Sequence, residues 1–166
     1  MMRRTLMLAM AAVVIVSACS KTPEAPTGKA PGQNPSAQGG VVQAPKPVRA
    51  KSSPGARVFI AEPANGAAVA SPLTVKFGIE GIALEAAGEV KDDSGHHHLL
   101  IDQAALPPMD QPLPFSDQLL HFGQAQTEAG VNLAPGMHTL QLVLAGGNHI
   151  PHEPPVVSER ISITVQ

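Results

Sequence analysis

Tryptophan and tyrosine are absent from the sequence, and phenylalanine occurs only four times. Any core must therefore be assembled from aliphatic side chains, and an aromatic platform for stacking a ring-shaped ligand is not expected. A single cysteine excludes an intramolecular disulfide and a thiolate-rich metal site. No Gly-x-x-x-x-Gly-Lys-Ser/Thr loop, Gly-x-Ser-x-Gly elbow, Ser-x-x-Lys pair or His-Glu-x-x-His motif occurs. The catalytic machinery those patterns mark is missing, so a non-enzymatic protein is expected. Basic residues are scarce too: from 56 to 166 there are four against twelve acidic ones. A surface so acidic repels nucleic acid and attracts cations.

What the sequence does have is histidine in one place. All seven histidines fall between His96 and His152. Three are consecutive, in Gly95-His96-His97-His98-Leu99-Leu100-Ile101-Asp102. If this stretch is a strand, alternation puts His96, His98, Leu100 and Asp102 on one face and His97, Leu99 and Ile101 on the other. Two imidazoles at i and i+2 lie about 7 Å apart along a strand and can lean onto one ion. Imidazole is the usual ligand of Cu(II) and Zn(II). The expected ligand set is His96 and His98 from the strand, with His121, His149 and His152 from loops. Asp102 and Glu153 are candidates for ligands or for acceptors of a ring N–H. His97 and His138 share faces with leucine or isoleucine and read as structural. The competing reading is that all these histidines merely pin loops to the fold.

The beginning of the chain reads as an export signal. Arg3 and Arg4 precede an apolar run from Leu6 to Val16, too short to span a membrane. Val16-Ser17-Ala18-Cys19 follows and resembles the bacterial lipobox, whose cysteine is lipidated and becomes the first mature residue. Residues 1–18 are then a lipoprotein signal peptide and Cys19 the lipidation site. Ser20 after the cysteine, by the same resemblance, implies delivery to the periplasmic face of the outer membrane. From 20 to 55 there are seven prolines, five glycines and a net charge of +4. Such a segment cannot bury enough apolar surface to offset its ordering entropy, so residues 19–55 are expected to form a disordered tether contributing no core.

The globular part is expected at 56–166. Leu73, Val75, Phe77 and Ile79 alternate with polar or small residues, as do Ile161, Ile163 and Val165. Four prolines between 107 and 114 forbid a regular helix there. Residues 81–94 and 146–155 read as loops. In 137–144, His138 is placed on an inward face with Leu140, Leu142 and Leu144. About seven short strands with no amphipathic helix predict an all-β, immunoglobulin-like β-sandwich.

The stretch from Gly95 to Asp102, with His121-Phe122-Gly123, Pro135 to Leu142 and Asn148-His149-Ile150-Pro151-His152, resembles a bacterial family of exported or lipid-anchored domains of unknown function. The resemblance covers roughly 60–166. It implies a compartment and no activity; the ATPase label carried by some members finds no phosphate-binding loop here. The expected function is a lipid-anchored cell-envelope module that binds a divalent metal, Cu or Zn. The alternative is a structural or protein-docking lipoprotein that engages an envelope partner.

Overall fold

A computed structural model describes residues 45–166; the export signal, Cys19 and most of the expected tether lie outside them. The described residues contain ten strands and no helix. A three-stranded antiparallel sheet has the order β1 (Arg57–Glu62), β3 (Leu73–Glu80), β7 (Glu128–Val131). The second sheet has seven strands. Its main path runs β2 (Ala68–Val69), β10 (Ile161–Val165), β8 (Gly136–Ala145), β5 (Ser94–Ile101), β4 (Ala83–Leu84). In addition β6 (Leu119–Phe122) pairs with β5, and β9 (Pro151–Val157) pairs with β8. The fold is an all-β sandwich, as expected.

The aliphatic core follows from alternation. Val58, Leu73, Val75, Phe77 and Val131 from the small sheet meet Leu99, Ile101, Leu140, Leu142, Leu144 and Ile163 from the large one. Two strands were not foreseen. β4 is a two-residue parallel partner of β5 inside the stretch read as a loop. β9 carries Pro151, Pro154 and Pro155, which cannot donate to a ladder. It pairs with β8 only through Pro151, Val156 and Val157, across a bulge at Leu144/Ala145. Its prolines are tolerated because the strand needs few donors.

β5 is the hub. It lies between β6 and β8, with β4 alongside its first residues, and all eight of its residues are buried. One face joins the sandwich core through Leu99 and Ile101. On the other, Leu100 packs with Leu119, Val143 and Ala145 under Leu113. Leu113 belongs to the proline-rich stretch 103–118, which covers this outer face. Its N–H donates to the His149 carbonyl at 2.9 Å.

The last residues of the expected tether behave differently from its composition. Ala50 is fully buried and Ser52 nearly so. Arg49, only 10% exposed, pairs with Glu153 at 2.8 Å. The same guanidinium donates to the carbonyls of Pro151 (3.0 Å) and His152. Ser52 Oγ donates to the Pro154 carbonyl at 2.7 Å, and the Ser53 N–H and hydroxyl bond Asp93. Residues 49–53 thus form a strap on the sandwich, and the packed domain begins before Ala56. Polar and proline-rich composition hid this, because the strap is held by hydrogen bonds rather than by apolar side chains.

Candidate metal centre

The outer face of β5 positions the histidines. His98 lies opposite His121 on β6 and Val143 on β8, and His96 lies opposite Ala145. His96 and His98 project to the same side and lean together, with ring centroids 4.8 Å apart. His121 joins from β6, its ring 4.9 Å from His96 and 5.1 Å from His98. His149 completes the group from the β8–β9 turn, 5.0 Å from His96 and 4.8 Å from His121.

The turn is built to hold His149. Its backbone has a φ of 65°, a left-handed conformation that histidine adopts more readily than most residues. The His149 N–H donates to the Gly146 carbonyl, and the Gly146 N–H donates to Ile150. Asn148 donates to the Val48 carbonyl at 2.8 Å, tying the turn to the strap. Gly123 has a comparable local role. A Cβ there would collide with the His121 ring, so only glycine leaves that ring its place.

The polar bookkeeping of this cluster does not close. Both ring nitrogens of His96, both of His98 and Nε2 of His121 are buried and find no hydrogen-bond partner among the described residues. Each such group costs about 1–3 kcal/mol. Ligand atoms of His96, His121 and His149 all lie within 4.8 Å of one another, a set that could hold a metal ion. His98 is outside that set but in ring contact with it. Burial, reinforced by the neighbouring histidines, pushes His96 down to about 3 and His98 down to about 2. Burial and then His149 lower His121 as well. Burial thus favours the neutral form of His96, His98 and His121, the form in which imidazole binds metal.

The remaining histidines are accounted for otherwise. His152, expected as a ligand, is fully buried with Nε2 donating to the Ser94 carbonyl at 2.9 Å, while Nδ1 faces the Leu144 carbonyl. The structure does not bring it into the ligand set, because Pro151 starts β9 and the strand turns His152 away from His149. His97 packs against Phe77 and donates through Nδ1 to the Gln126 carbonyl, as a structural residue should, although its buried Nε2, on the core side of β5, also has no partner among the described residues. His138 shares the inward face of β8 with Leu140, Leu142 and Leu144, in register with the core residue Ile163, but it sits at the edge of that face with its ring half-buried and bonded. It donates Nδ1 to Asp102 at 2.7 Å and Nε2 to the Ala134 carbonyl at 2.9 Å. The Asp102 carboxylate raises the His138 pKa. Burial opposes ionisation of Asp102, but the Thr139 N–H and the His138 ring outweigh it and lower that carboxyl. Asp102 thus serves His138, and Glu153 serves Arg49; neither is given to the cluster.

One participant had no sequence signal beyond its isolation. Phe115, 65% exposed, sets its ring edge-on against His121 at 5.2 Å and His149 at 5.5 Å. It is one of only four aromatic carbocycles in the chain and sits in the proline-rich stretch, which was the only available hint.

Residues 75–166, more than half of the chain, match the family described as Domain of unknown function (DUF4399). The chain belongs to this family. The DUF4399 match takes in β5, β6, β8 and β9, and with them all seven histidines. No curated protein and no solved structure matches the chain.

Proposed function

We propose that this DUF4399 domain is a metal-binding module of the bacterial cell envelope, anchored by a lipid on Cys19. The observation that carries the metal reading is the group of unpartnered buried nitrogens on His96, His98 and His121. A folded protein rarely leaves polar atoms unsatisfied inside, and a bound ion accounts for several of them at once. His96, His121 and His149 are the ligands. His98 stands behind them in ring contact with His96 and His121. The donors are all imidazole nitrogens, which suits Cu(II) or Zn(II) and disfavours Mg(II) or Ca(II).

The pinning role expected of histidine in the alternative reading suits His97, His138 and His152, each bonded to a named backbone or carboxylate oxygen. It does not suit the four clustered rings. Calorimetric titration of the untagged 45–166 fragment with Cu(II) and Zn(II) tests the proposal. One equivalent should bind with micromolar or tighter affinity, and His96→Ala should weaken it at least a hundredfold. Absence of uptake of either metal would refute it. The anchor rests on Val16-Ser17-Ala18-Cys19. Cys19→Ser should move the full chain from the membrane to the soluble fraction, and continued membrane retention with normal processing would overturn that part.

A further inference from the structure

We infer that an ion held by His96, His121 and His149 keeps one coordination position open towards Phe115, and that this position takes a small monoanion. The inference deepens the metal reading and rests on it. Its first support is the direction of exposure. His96 and His98 are fully buried, whereas His121 and His149 are partly exposed. The protein closes the back of the site, and the side that remains is that of His121 and His149. The side chain in ring contact with both of them there is Phe115, whose ring has no donor atom for a metal.

The second support is charge. The titratable groups that bear on His96, His98 and His121 are all other histidines. No carboxylate among the described residues bonds a clustered histidine: Asp102 bonds His138 and Thr139, Glu153 bonds Arg49, Glu85 bonds Lys91 and Asp93 bonds Ser53. A divalent ion held by imidazoles alone therefore keeps its whole charge, with fully buried His96 and His98 behind it. Uncompensated buried charge is costly, and attraction to an anion grows as the local dielectric falls. Three imidazoles and an open fourth position form a pattern by which zinc and copper bind an exogenous ligand. Since no carboxylate among the described residues meets the cluster, the balancing negative charge is that of an added anion.

Azide is a suitable probe, since its bonding to Cu(II) produces a charge-transfer absorption. Untagged 45–166 carrying one equivalent of Cu(II) should develop a saturable band on azide titration. Saturating azide should tighten copper binding about tenfold, a typical coupling between linked ligands. Phe115→Ala should change the azide affinity severalfold; an unchanged value would place the anion elsewhere and overturn the assignment. If copper binds but azide produces neither band nor tightening, the site is closed and the inference falls while the metal reading stands. A band that appears only in His98→Leu would show His98 filling the fourth position, which also overturns it. Failure to bind copper or zinc at all would remove both readings.

Discussion

At the scale of single residues, three neighbouring histidines in one strand have opposite fates because β5 buries both faces. His97 faces the core and bonds the Gln126 carbonyl, while His96 and His98 face outward into the cluster with no partner for either ring nitrogen. Alternation made that split legible from the sequence. It could not show that His121 would lie directly across from His98, since register depends on long-range pairing. Nor could it separate His149 from His152, because three residues across a proline can turn either way. The unpartnered state of His98 has a measurable consequence. His98→Leu removes two unsatisfied nitrogens from a buried position and should stabilise the metal-free domain by about 1–2 kcal/mol at pH 7.5. Unfolded, His98 has a pKa of about 6.5; folded, burial holds it near 2. Between those values only the unfolded chain takes up the proton, so the wild type loses stability as pH falls below 6.5. The advantage of the leucine variant should therefore widen by about 2 kcal/mol on going to pH 5. Denaturant unfolding at the two pH values measures this, and a variant less stable than wild type at both would mean that His98 is a satisfied structural residue. His138 works with the opposite sign: Asp102 raises its pKa, so its contribution is complete below the unfolded value and fades as pH rises through the folded one.

At the scale of elements, the sheet strands were legible where apolar alternation was clean, as in β3 and β10. β9 and the strap were not, because both are rich in proline or polar residues and held by backbone and side-chain oxygen contacts. They also matter to the site. Arg49 grips the carbonyls of Pro151 and His152, Val48 accepts a bond from Asn148, and both contacts flank His149. Cutting the chain at residue 56 should remove these bonds and release the His149 turn. Relative to 45–166, the 56–166 fragment should melt at least about 5 °C lower, corresponding to a loss of 1–2 kcal/mol or more. It should also bind metal about tenfold more weakly. Calorimetry on the two fragments measures both effects, and identical melting temperatures would show that the strap contributes nothing.

At the scale of the whole molecule, the sandwich supplies a rigid, water-poor wall, and the cluster sits on the outer face of its larger sheet rather than in the core. The domain as a whole is acidic: four basic and twelve acidic residues give 56–166 a net charge of −8. That field draws cations towards the domain while leaving the cluster itself free of carboxylates. The overall class followed from the alternation of aliphatic residues in several short stretches, with prolines and turns between them and no amphipathic helical pattern. The site's position did not, because it depends on the stretch 103–118 folding back over β5 and β6. The measurement that bears most directly on the central claim is X-ray absorption spectroscopy of the untagged 45–166 fragment loaded with one equivalent of Zn(II). The account predicts a first shell of light atoms at about 2.0–2.1 Å with the multiple-scattering signature of three imidazoles. A shell dominated by oxygen with at most one imidazole, or zinc that washes off before the spectrum can be taken, would contradict it.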